Sequence, residues 1–230
     1  MKLGDPVWLL AFTGLSLTAV LPEAHDFMIQ MVRENRYGFG FLIFAFFGVL
    51  RTALKARFSR RAYPGAAALA GAALSWGCYG LACAVIFWFV NLGVSFAQAG
   101  GILPGGGHGL SRQPVKAVLT SFFFTGPFFT SLIYSLFFAP VLLAWQRLAA
   151  GAVSAMRHYG RPVGLRTAAE ETDWPDFMVA EAVYPLIFRF PLMIAVFMMP
   201  PEYWLYLAAW LEVVCGGLGA MASRRQGETE

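Results

Sequence analysis

Charge is scarce in this chain. Of 230 residues, only 13% are Asp, Glu, Lys or Arg, whereas 58% are hydrophobic and 16% aromatic, with 22 Phe. A soluble domain carries roughly 25% charged residues, so a largely water-exposed surface is excluded as the main boundary of this molecule. Cysteine is nearly absent as well. Cys78, Cys83 and Cys215 lie inside apolar segments with no CxxC spacing, which leaves neither a disulfide framework nor a cysteine-zinc motif. They read as small buried hydrophobes. Histidine occurs three times, as His25, His108 and His158, far apart in sequence. There is no HExxH, no GxSxG elbow and no GxxxxGK[ST] loop. The expectation is therefore a protein that is not an enzyme, with no metal and no cofactor. No fixed-period repeat and no low-complexity tail is present.

What the chain has in abundance is long apolar runs, with a mean hydropathy of +0.61. They predict an all-α, polytopic integral membrane helical bundle of one domain. About six transmembrane spans are expected, near residues 6–21, 38–50, 64–92, 115–140, 177–199 and 203–222. The first run is read as a retained span and not as a cleaved leader. Pro22 is expected to end it. Residues 23–37 then interleave His25, Asp26, Arg33, Glu34 and Arg36 with Phe27, Met28, Met31 and Val32, the pattern of an interfacial amphipathic segment.

The third run opens on Gly65, Ala66, Ala67, Ala68, Ala70, Gly71, Ala72 and Ala73. Small residues let helices approach closely, so this stretch is expected to pack inside the bundle. Residues 100–114 form a glycine-rich exterior loop in which His108 meets water. Pro127, Pro185 and Pro191 each remove a backbone donor within apolar runs and predict helix kinks. Between the fourth and fifth runs lies a polar stretch, where Asp173, Pro175 and Asp176 signal a helix start.

Two charges break the last two runs, Arg189 in one and Glu212 in the next. The corner Pro200-Pro201 separates them by equal counts, which at about 1.5 Å per residue puts both about 17 Å from the corner. That is near the centre of a hydrocarbon layer about 30 Å thick, where a lone charge is costly and usually finds a partner. Arg189 and Glu212 thus form the candidate intramembrane pair, either as a register device or as the lining of a polar path. Glu181 and Asn91 are further candidates for that lining.

Lys and Arg set the orientation. With six alternating spans, twelve of them fall on the side of the chain ends and only Arg33, Arg36, Arg112 and Lys116 on the other. Both termini are therefore expected in the cytoplasm, and the net charge of +4 needs no nucleic acid partner. Labelling of intact cells with a membrane-impermeant thiol reagent should reach a cysteine engineered at Gly106 and miss one at Ser59 or Thr167. The reverse pattern would invert the bundle.

Two stretches carry a family resemblance. One is Ser121–Tyr134, with Gly126-Pro127 followed by an aromatic-rich helix. The other runs from Asp173-Trp174-Pro175 through Tyr184-Pro185 to Pro200-Pro201 and Tyr203. Together they resemble the small peroxisomal membrane protein family, which has mitochondrial inner-membrane and bacterial relatives. The similarity covers about residues 115–225 and is nearest the bacterial branch. The family's eukaryotic pattern has His four residues after the Gly, where this chain has Thr130. The Gln and Asn-Phe that follow its aromatic-Pro are replaced by the neighbourhood of Phe188, Arg189 and Phe190. The resemblance implies a small helical bundle, proposed in some members to conduct solutes with no agreed substrate, and no catalytic residues to carry over. Together with the charge pair, it leads us to expect a pore or transporter for a small solute or ion, in a bacterial inner membrane. The alternative is a non-catalytic scaffold or accessory subunit. Expected partners are the lipid bilayer and a homo-oligomer or another membrane protein.

Overall fold

The computed structural model describes residues 22–58, 64–103, 126–159, 164–170, 172, 174 and 184–227. Helices account for nearly all of them, and no strand occurs among the described residues. In chain order they are α1 (Pro22–Phe58), α2 (Ala66–Ala99), α3 (Gly126–Ile133), a π-helical turn (Tyr134–Phe138), α4 (Ala139–Tyr159), α5 (Leu165–Glu170), α6 (Tyr184–Met198) and α7 (Trp204–Gly227). A 3₁₀ turn, Pro201–Tyr203, joins α6 to α7. Among the described residues, three segments are long and apolar enough to cross a membrane: Asp26–Ala56, Ala66–Ala99 and Gly126–Ala149, with mean hydropathy between 1.7 and 1.9. Residues 6–21, the first expected span, lie outside the described residues.

Helix α1 absorbs two elements that the sequence pattern separates. The amphipathic segment and the expected 38–50 span are one helix, interrupted at Asn35 (φ −148°, ψ 71°). Asn35 Oδ1 accepts the Gly38 N–H at 2.8 Å. This is an N-cap bond to the third residue beyond, so Asn35 starts the apolar half of the helix afresh. Arg51 does not end the helix. Its guanidinium lies 4.6 Å from the Trp76 ring centroid, a cation–π contact, while the helix runs on to Phe58.

Helices α1 and α2 pack along most of their length. The closest approach is not made by the alanine-rich start of α2, where Ala66, Ala67 and Ala70 are exposed. It falls one to two turns later, at glycines that face bulk. A Cβ at Gly40 would meet the Gly80 carbonyl oxygen at 2.9 Å, and one at Gly80 would collide with the Gly40 carbonyl. Gly48 faces Trp76 and Gly77 faces Phe41 in the same manner. The reason is geometric: a small residue permits close packing only where a neighbour has something to insert, and α1 presents Phe41 and Phe44 to this later stretch.

The π-helical turn follows from Pro140. Proline offers no N–H to the turn before it. The Ala139 N–H reaches back to the Tyr134 carbonyl, five residues earlier, and widens the helix there. Further along, Thr172 Oγ1 donates to the Ala168 carbonyl and Trp174 Nε1 to the Ala169 carbonyl, closing the end of α5 beside α4. The expected helix start at Asp173 and Pro175 falls outside the described residues.

The core is aromatic. Phe87 packs edge-on against both Tyr134 and Phe197, and Phe197 in turn against Trp204. Phe47 meets Tyr206 of α7 in the same way. Large apolar side chains also point outward, among them Phe46, Leu74, Val85, Phe89, Phe137 and Val141. A helix that is apolar on both its inner and outer faces, as α2 is, suits a lipid surround.

A buried polar cluster between four helical segments

Helices α6 and α7 run antiparallel from the Pro200-Pro201 corner. The Tyr203 N–H bonds to the Pro200 carbonyl and Trp204 Nε1 to the Met199 carbonyl, which sets the angle between the two helices. That geometry brings the two sequence-predicted charges together. Arg189 Nη2 donates to Glu212 Oε1 at 2.5 Å, with the residues only 5% and 6% exposed.

The pair has neighbours that pattern reading missed. Tyr79 of α2 donates its hydroxyl to the same Glu212 oxygen at 3.4 Å. The Tyr79 and Tyr134 hydroxyls are 3.3 Å apart, and Cys83 Sγ lies 3.7 Å from the Tyr134 hydroxyl. Arg189, Glu212, Tyr79, Cys83 and Tyr134 therefore meet at one point, from α6, α7, α2 and the π-helical turn. Tyrosines in membrane proteins favour span ends, as Tyr203 does here. Tyr79 and Tyr134 sit well inside their apolar runs, and that position is the sequence signal that would have found them.

Hydroxyls on α3 extend the polar surface. Ser131 Oγ donates to the Phe190 carbonyl at 2.9 Å, tying α3 to α6 beside Arg189. Thr130 lies one turn before Tyr134, so both occupy the same helix face. Four buried polar atoms on these elements have no partner among the described residues: Glu212 Oε2, Thr130 Oγ1, Ser135 Oγ and, on α2, Ser75 Oγ. Buried polar atoms in folded proteins are nearly always paired, so each such atom calls for water or a solute.

The remaining candidates fall elsewhere. Asn91 is on α2, twelve residues beyond Tyr79 and so about 18 Å further along the helix; its carbonyl accepts the Ser95 hydroxyl. Glu181 lies outside the described residues. Pro191 is in the interior of α6, whereas Pro127 and Pro185 are the second residues of α3 and α6 as described. Among the described residues, no group of three His, Cys, Asp or Glu is arranged to hold a metal ion.

No protein-family model, curated protein or solved structure matches this chain.

Proposed function

We propose that the protein passes a small solute or ion across a membrane, with the Arg189–Glu212 cluster as its polar element. One observation carries the reading: a charge pair and two tyrosine hydroxyls from separate helices converge in an apolar bundle, with polar capacity left over at Glu212 Oε2. A pair serving only to set helix register would gain from full internal pairing. Leftover acceptors and hydroxyls suit a path that exchanges partners with a passing species, as intramembrane charges commonly do. The π-helical turn supplies Tyr134 to the cluster, and Pro191 lies within α6 two residues from Arg189; π-helical turns recur at functional sites. We place the protein in a bacterial cytoplasmic membrane with six spans, and with that count the distribution of Lys and Arg supports both termini inside. Its resemblance to the small peroxisomal membrane proteins supports the same reading.

Liposomes reconstituted with the purified protein should pass at least one of four probes (protons, potassium, chloride or glycerol) faster than empty liposomes. Tyr134→Phe removes one hydroxyl at nearly constant volume and should alter that flux while leaving the melting temperature close to wild type. If folded protein passes none of the probes, the cluster is a structural device and the scaffold reading replaces this one.

A further inference from the structure

A second polar site lies away from the cluster, where the polar and apolar halves of α1 meet at Asn35. A cavity of about 320 Å³ opens there, lined by Arg33 and Arg36 of α1, Phe87 and Trp88 of α2, and Glu202 and Trp204 at the α6–α7 corner. Its volume is in the range of small-ligand sites. Arg36 lies 5.6 Å from the Trp88 ring centroid and 5.7 Å from that of Tyr37. No carboxylate among the described residues pairs with it. Arg33 reaches Glu202 at 3.5 Å while remaining largely exposed, a loose contact that exchanges readily. The site therefore offers a guanidinium backed by aromatic rings and a carboxylate held by one weak ion pair.

We propose that this cavity binds the headgroup of a phospholipid that carries both a phosphate and a terminal ammonium. Guanidinium groups pair with phosphate oxygens through charge-assisted hydrogen bonds, a role that Arg36 and Arg33 fill. The ammonium goes to Glu202, where the Trp204 ring borders the cavity. A carboxylate in the lining disfavours a ligand with negative charge alone, and an adjacent pair of opposite charges complements a zwitterion. The source is a lipid because the site sits at the polar–apolar boundary of α1, with the exposed Trp88 and Phe89 beside it along which acyl chains run.

Native mass spectrometry of the delipidated full-length protein tests the proposal with phosphatidylethanolamine, phosphatidylglycerol, diacylglycerol and inorganic phosphate as probes. Phosphatidylethanolamine should be retained best, and Arg36→Gln should weaken its retention about tenfold, the loss of one charge-assisted contact. Glu202→Gln should keep phosphate-dependent retention but lose the preference for ethanolamine over glycerol. This second variant reads a preference and so does not depend on overall stability. Arg166→Gln, at an exposed pair on α5, should change nothing. Equal retention of diacylglycerol, or an unchanged preference in Glu202→Gln, overturns the proposal. Displacement of the lipid by millimolar inorganic phosphate would assign the site to a free anion and overturn it equally.

Discussion

Replacing Arg189 by Met should lower the unfolding free energy by about 3–5 kcal/mol, the usual cost of stranding one member of a buried pair. Among the described residues, Glu212 would keep only the Tyr79 hydroxyl, at 3.4 Å, as a hydrogen-bond partner for its charge. Glu212→Gln is the complementary single change. It preserves the acceptor that Tyr79 uses and leaves the Arg189 guanidinium uncompensated. The double variant has no net charge at the site, so it should be more stable than the sum of the single losses predicts. Unfolding in mixed micelles of increasing detergent strength measures all four corners of this cycle. Strict additivity would show that the two residues do not interact in the folded protein. Flux adds a second axis to the result. A stable double variant that no longer passes its probe assigns the pair to the path, and one that still passes it leaves the pair a structural role alone.

Gly80→Val should be the most damaging single change in the first helix pair, at about 3 kcal/mol or more. Overpacking usually costs about 1–3 kcal/mol when neighbouring side chains can shift. Here the obstacle is backbone. A Cβ at Gly80 runs into the Gly40 carbonyl, so α1 and α2 must separate to admit it. Phe44 and Tyr79, both buried and packed ring to ring at 5.5 Å, lie on this seam. Separation there loosens the helix that carries Tyr79 into the polar cluster. Gly93→Ala is the control, since a Cβ at Gly93 meets nothing within 4 Å. It should be neutral or should stabilise by up to about 1 kcal/mol through helix propensity. Thermal melting of the two detergent-solubilised variants checks both. Equal melting temperatures would mean that the helices do not touch at Gly40 and Gly80.

The depth of Arg189 and Glu212 was legible because helical rise is constant and a double proline marks the turn between them. Contact between them added one condition, the correct rotation of two antiparallel helices, and residue counts carry no information on it. The mid-run positions of Tyr79 and Tyr134 mark them as unusual, but nothing in residue counts makes them, or Cys83, partners of the pair. Their sequence separation from the pair is 55 residues or more (Tyr134 to Arg189 is the shortest), so only the packing of α2 and the π-helical turn against α6 and α7 joins them. The small-residue run at 65–73 illustrates the opposite error. Composition told that close approach is possible, but whether a neighbour is there to approach depends on where α1 crosses.

Composition and periodicity alone determined the class: an all-α chain whose scarce charge and long apolar runs suit lipid, with helices long enough to cross it. That much follows from transfer free energies and helical rise, which depend on residue type and spacing. The tertiary structure decided the rest. It ran the amphipathic segment and the next span into one helix capped at Asn35, moved the tight crossing to Gly40 and Gly80, and gathered four helical segments around Arg189 and Glu212. Those outcomes turn on helix rotation and on which backbones approach within van der Waals contact. Both are properties of pairs of helices, fixed only when the whole bundle finds its minimum.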